Sequence, residues 1–237
     1  MVLKKYITCT LFGFTILYIS HAQESVHPDF DKISTPYVYF EGTYNGKNLL
    51  FGNNWVKARL LTANNSIISN DSFLFNFDKI EQRLLFTKDF NKIFEIDWRE
   101  FKAIQFYIRD SAYIFKHIYT ISNKDLFQVL INGSDKYSLY KSVHTKLVKG
   151  LYGSGLTLSP YDKAVDHFED ATEYCILFPN KEYRTTYLLK RAAIERIFKL
   201  NPDSNKVNDF LNTNDSKEQY GENDLIQLIL YLNKSSL

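Results

Sequence analysis

Cysteine is nearly absent from this sequence, with 2 in 237 residues. Cys9 falls in an N-terminal apolar run, so only Cys175 belongs to the folded chain and an intramolecular disulfide is excluded. Methionine (1), tryptophan (2), proline (5) and glycine (9) are also scarce. The core must therefore be built from aliphatic residues and rings. Charge of either sign is missing in excess, the precursor carrying a formal net charge of +2. That balance argues against a nucleic-acid binder, which shows a basic patch, and against a polybasic membrane-surface binder. No segment beyond the first twenty or so residues is long and apolar enough to span a bilayer as a helix. The predicted strands are also too short and too charged for an outer-membrane barrel.

What is present begins at the N-terminus. Met1–Lys5 is short and basic, residues 6–20 are apolar and uncharged, and Ser20-His21-Ala22 before Gln23 resembles a small-residue cleavage site. This is the pattern of a secretory signal peptide over 1–22. The apolar run falls short of the ~20 residues a spanning helix needs. Loss of Lys4 and Lys5 brings the formal net charge of the mature chain to zero. An exported protein, periplasmic or secreted, is expected, held together without a disulfide by its core alone. Residues 23–48 read as an extended leader with Pro28 and Pro36, in which Tyr37–Phe40 can open a first strand.

Residues 49–148 read as an antiparallel β-rich domain. Aromatic and β-branched residues favour strands, and they cluster at Trp55–Leu61, Ser72–Phe77, Arg83–Phe86, Ile93–Ile96, Phe101–Ile108, Tyr113–Ile121, Leu126–Ile131 and Tyr137–Leu147. Both faces of Tyr113–Ile121 are rather apolar, which predicts a central strand or one covered on both sides. Asn, Asp, Ser and Gly punctuate the runs, and Asn132-Gly133 is the strongest hairpin signal. Short strands at this spacing predict a barrel-like or sandwich sheet. Trp55 is expected as a core or sheet-edge anchor. Residues 149–171 read as a linker containing Gly150, Gly153 and Gly155, without the P-loop or dinucleotide pattern. Residues 172–237 read as a β-hairpin, Thr172–Phe178 and Tyr183–Tyr187, followed by two to three helices. The stripe Leu189, Ala193, Ile197 and Leu200 marks the first helix, Asn201-Pro202 starts the second, and Asn223 caps the third. The fold class is thus α+β, mainly antiparallel sheet with a helical C-terminal region.

Leu49–Arg59, Leu126–Gly133 with Leu139-Tyr140-Lys141 behind it, the signal peptide and the final Asp224-Leu225-Ile226 run together resemble uncharacterised exported proteins of the Bacteroidota. The resemblance spans most of the mature chain. It implies compartment and architecture and carries over no catalytic residue.

No motif assigns chemistry. His117, His144 and His167 lie in the folded region without the close spacing zinc ligands take, although His117 and His144 sit on strands that can meet across a sheet. Asp162, Asp166, Glu169, Asp170 and Glu173 form the densest acidic group, but not at calcium-loop spacing. Cys175, between Tyr174 and Ile176, reads as a buried packing thiol. Ser134 and Ser154 sit in Gly-containing loops, without the nucleophile-elbow pattern. No catalytic, cofactor-binding or metal-binding residue is assigned. The distinctive feature is ring content, 19 Phe and 17 Tyr, which fills a core and, where exposed, suits recognition of sugars or proteins. The expectation is a non-enzymatic binding or envelope-structural protein with a protein or glycan partner of the cell envelope. A hydrolase on a β-scaffold and a small-ligand carrier are the alternatives.

Overall fold

The computed structural model describes residues 38–40, 46–122, 125–148, 167–213 and 219–234. Among them are twelve strands in two sheets and three α-helices, and every strand pairing is antiparallel. No helix of the described residues is long and apolar enough to cross a membrane. In chain order the strands are β1 (Val38–Phe40), β2 (Lys57–Thr62), β3 (Ile67–Ser69), β4 (Leu74–Asp78), β5 (Arg83–Thr87), β6 (Ile93–Ile96), β7 (Phe101–Ile108) and β8 (Ser111–His117). They continue with β9 (Leu126–Ile131), β10 (Ser138–Val148), β11 (His167–Leu177) and β12 (Tyr183–Thr186). Helices α1 (Arg191–Phe198), α2 (Ser204–Asn212) and α3 (Glu222–Lys234) complete the fold.

The small sheet has order β1-β6-β5-β4 and the large one β12-β11-β10-β9-β8-β7-β2-β3. β12 and β3 lie at opposite ends of the large sheet, so it is open, and the barrel alternative gives way to a sandwich. Residues paired across antiparallel strands point to the same face. Following the register Ile104↔Phe115↔Gln128↔Lys141↔Tyr174 puts all five on one inner face. At the β2–β7–β8 end that face packs against Phe75, Phe77, Leu84 and Phe86 of the small sheet. At the β10–β11 end it packs against the three helices through Tyr137, Leu139, Tyr174 and Ile176. One sheet thus carries two cores side by side.

Local sequence explains most of this. Phe75 and Phe77 alternate onto the inner face of β4, and Phe86 pairs across from Phe75 with its ring 6.0 Å away. Along the other face of β4, Asn76 is fully buried: its amide donates to the carbonyls of Gly52 (3.0 Å) and Asn54 (3.1 Å), and its carbonyl accepts from the Phe51 N–H (3.3 Å). These bonds hold the turn before β2. Trp98 is the buried tryptophan and donates to the Gln82 carbonyl at 2.7 Å. Trp55 is half-buried, with its ring edge-on to the exposed Phe90.

Several expectations shift. The strand expected to run to Ile121 ends at His117, where residues 118–122 turn and the Ile121 N–H bonds back to the Ile118 carbonyl. β8 is central, yet Tyr113 and Ile114 are exposed on it. β11 begins at His167, inside the expected linker, and pairs with the full length of β10, so the sheet runs continuously into the C-terminal region. The glycine-containing part of that linker lies outside the described residues. At Gly133 a Cβ would sit 2.4 Å from the Tyr137 carbonyl oxygen, so glycine serves a close backbone approach in the β9–β10 connection, and the left-handed residue there is Asp135 (φ 55°). In the helical region α1 buries Ala193, Ile194, Ile197 and Phe198, while Leu200 lies past its end and is exposed. α2 starts at Ser204 behind Asp203, two residues later than the Asn-Pro pair suggests.

Candidate binding surface

The outer face of the large sheet differs along its length. On β9, β10 and β11 it carries a third core cluster, Phe127, Tyr140 and Cys175, covered in part by Ile118 and Ile121 of the β8–β9 connection. Beyond that cluster, towards the β12 edge, the face opens and its chemistry changes. Glu173 pairs across from Ser142, and His144 stands two residues along β10 on the same side. Tyr174 pairs with Thr186, which places Tyr187 in register beside Glu173. The Tyr187 ring meets the His144 ring edge-on at 6.0 Å. Burial first, then the negative charge of Glu173 nearby, then that of Asp125, raise the Tyr187 hydroxyl above its ordinary value. It stays neutral at physiological pH.

Tyr183 lies on the same outer side of β12, four residues earlier. Tyr183, Tyr187 and Leu188 are 42%, 57% and 56% exposed, a group of large side chains at one sheet edge. Next to them is an open cleft of about 620 Å³ lined by Thr120, Lys181, Glu182, Tyr183 and Arg184. Four residues of strand span ~13 Å, so the two tyrosines mark a contact surface longer than a single small ligand. The surface offers ring faces, a carboxylate and an imidazole, with the Lys181 ammonium at the cleft beside them, a combination that meets a ligand having both apolar and hydrogen-bonding faces.

The residues weighed from sequence are dispersed by the fold. His117 and His144 cannot meet, because they point to opposite faces of the sheet. His117 packs on the inner face between Trp98 (5.1 Å) and Tyr119 (3.9 Å), and neither ring nitrogen of this imidazole has a hydrogen-bond partner. Strand alternation also splits the acidic group. Glu173 points outward, while Asp170 points inward and takes the Lys79 ammonium at 2.7 and 2.8 Å. Asp162 and Asp166 lie outside the described residues, as does Ser154, and nothing is described of the His167 side chain. Among the described residues no three His, Cys, Asp or Glu side chains gather as metal ligands do. Cys175 is fully buried, and burial together with the Glu173 charge pushes its thiol up to about 12, the opposite of what a nucleophile needs. Ser134 is an exposed turn residue. Ser142, His144 and Glu173 are hydrolase residue types on adjacent strands, but Ser142 is 3% exposed, too buried for its hydroxyl to meet a substrate. The gathering of Tyr183, Tyr187, His144 and Glu173 was missed from sequence, and its only sequence signal was the repeat of tyrosine at 183 and 187.

Comparison with protein-family models, with curated proteins and with solved structures finds no match to this chain.

Proposed function

We propose that this chain is an exported, non-enzymatic binding or envelope-structural protein, periplasmic or secreted, whose partner is a protein or glycan of the cell envelope. The N-terminal pattern over 1–22 and the resemblance to exported Bacteroidota proteins support the compartment. The observation that carries the binding role is the exposed group Tyr183, Tyr187 and Leu188 at one sheet edge, backed by Glu173 and His144. Exposed tyrosines give large contact area at low side-chain entropy cost and keep a polar tip for hydrogen bonds. The raised hydroxyl of Tyr187 and the deeply protonated thiol of Cys175 suit contact and packing, not proton transfer or nucleophilic attack.

The test uses envelope glycans and envelope proteins immobilised separately. The full chain is expected to be retained by one of the two, and the Tyr183→Ser/Tyr187→Ser double variant to lose that retention while keeping its circular dichroism. Equal retention of both forms, or retention of neither, rejects this surface as the binding site. Fractionation of the host cell with N-terminal sequencing of the protein checks the compartment, with Gln23 expected as the first residue.

A further inference from the structure

We infer that the groove between α1 and α2 is a binding site for a small organic oxyanion, a ligand bearing a carboxylate or phosphate group. The groove encloses about 650 Å³ and is lined on the α1 side by Arg191, Glu195, Arg196 and Lys199 and on the α2 side by Ser204, Asn208 and Asn212. That volume is in the range of small-ligand sites, ~300–1,000 Å³. Its floor is apolar, formed where Phe198 and Val207 are buried between the helices.

The charge on its walls is one-sided. Among the described lining residues three cations face one carboxylate, and that carboxylate pairs with Arg191, whose Nε donates to Glu195 at 2.8 Å, which leaves the charges of Arg196 and Lys199 in excess. Arg191 also donates from Nη2 to Asn212 Oδ1 at 2.6 Å, so it bridges α1 to α2 and forms a fixed cationic back wall. Arg196 and Lys199 stand one turn apart, both exposed. Like charges at that spacing repel, and an anion seated between them relieves the repulsion. The opposite wall presents neutral groups, the Ser204 hydroxyl and the Asn208 amide, which hydrogen-bond an oxyanion without opposing its charge. A chain whose charges otherwise balance therefore holds a local cationic groove with hydrogen-bonding partners and an apolar floor, complementary to an organic anion and unsuited to a cation or a neutral lipid. This groove lies on the helical region and does not depend on the tyrosine surface proposed above.

The experiment titrates the isotope-labelled full chain with inorganic phosphate and, separately, with citrate, against sodium chloride at matched ionic strength, and follows backbone amide shifts. Saturable shifts confined to α1 and α2 with either probe are expected. The probe that binds tells a phosphate-bearing ligand from a carboxylate one. Arg196→Glu and Lys199→Glu are each expected to weaken binding about tenfold or more, as loss of a charge-assisted contact does. Both side chains are exposed, so these variants keep the fold. Asn208→Asp, which adds a carboxylate to the opposite wall, is expected to act in the same direction. Shifts that grow linearly and are matched by sodium chloride, shifts outside the two helices, or binding unchanged in Arg196→Glu and Lys199→Glu would overturn the assignment.

Discussion

One face of the eight-stranded sheet is covered twice, and the two covers are attached by different means. Over β2, β7 and β8 the facing side chains of the small sheet are apolar, with Phe75, Phe77 and Phe86 against Leu60, Ile104 and Phe106, and the polar ties run to main-chain groups, Trp98 to the Gln82 carbonyl and Phe75 to the Val56 backbone. Over β10 and β11 the helices also bury aliphatic and aromatic residues, but every tyrosine the sheet contributes there carries a hydroxyl with a defined partner. The Tyr137 hydroxyl lies 2.7 Å from both Asn201 Oδ1 and Asp203 Oδ2, and that of Tyr174 donates to Glu222 at 2.9 Å. Glu222 in turn pairs with Lys141 of β10 at 2.7 Å. Asn233 near the end of α3 accepts from the Tyr137 N–H and donates to the Tyr137 carbonyl, both at 2.9 Å. The difference follows from geometry. A sheet laid on a sheet has its direction set by strand twist, within a narrow range of angles. A helix on a sheet can roll and shift among several packings, as ridge-and-groove contacts between helices also allow, and directional bonds at its ends select one. Burial provides the stabilisation in both halves, ~1.5–3 kcal/mol per large side chain, and the polar contacts in the helical half add orientation to it.

The strongest test of this comparison is whether the two cores melt as one. Phe75→Ala removes a fully buried ring from the core between the two sheets and is expected to cost about 3–5 kcal/mol. In urea unfolding, tryptophan fluorescence reports the first core through the buried Trp98, and far-ultraviolet circular dichroism at the helical minimum reports the second. Because the strands of one sheet run through both cores, the two signals should shift together. A shift in fluorescence alone would show two independent units.

A smaller effect is expected where the small sheet is tied to the β10–β11 hairpin. Lys79, in the β4–β5 turn, is 5% exposed and its ammonium reaches Asp170, which is 52% exposed. Asp170→Asn leaves that ammonium without its anion. The expected loss is about 2 kcal/mol, below the ~3–5 kcal/mol of a fully buried pair because water reaches the carboxylate side. Lys79→Met keeps the apolar stem and removes the charge, so it should cost less than Asp170→Asn, by chemical denaturation. The opposite order would mean the ion pair itself, not the cost of an unpaired charge, matters here. In the helical half, Asn233→Ala should cost about 1–2 kcal/mol, since the buried Tyr137 peptide loses both partners. Its signature is faster hydrogen exchange in α3 with exchange in β4 and β5 unchanged.

The extent to which the fold was legible in the sequence tracks how local its causes are. β6 and β9 fall on the expected residues because ring and β-branched runs there end at strong turn residues. β3 was missed, as three residues carry no measurable period, and it exists only because β2 offers an edge to pair with. β11 begins five residues before the expected Thr172: Glu169-Asp170-Ala171 are poor strand formers and are held in the sheet by the long β10 opposite. Leu200 was placed on the buried stripe of α1 by spacing, but the helix stops at Phe198 and leaves it exposed. The polar pins were illegible for a deeper reason. Tyr137 and Asn233 are 96 positions apart, and no short-range pattern signals that an amide side chain will complete a distant backbone. The same holds for the tyrosine surface, where His144 and Glu173 reach Tyr187 only through strand register.

The smallest predicted effect concerns pH, and it links the outer cluster with the helical core. Burial first, and the Glu173 charge second, push the Cys175 thiol from 9.0 to about 12. Its raised value means the folded state keeps a proton that the unfolded chain releases. The stability this represents is complete below pH 9 and declines as pH rises from 9 towards 12. Tyr137 and Tyr174 are displaced in the same direction, by burial and then by Asp203 and Glu222, so the alkaline decline belongs to all three groups. Cys175→Ala is expected to cost about 1 kcal/mol at neutral pH, a small cavity term. It should also flatten the fall in unfolding free energy between pH 9 and pH 11, measured by denaturant titration at each pH. Tyr174→Phe should flatten the same limb from higher pH, because its group begins to titrate higher when unfolded. If the Cys175→Ala curve runs parallel to the parent at every pH, the thiol is not held protonated by the fold, and the outer cluster is wetter than its packing of Phe127, Tyr140 and Cys175 implies.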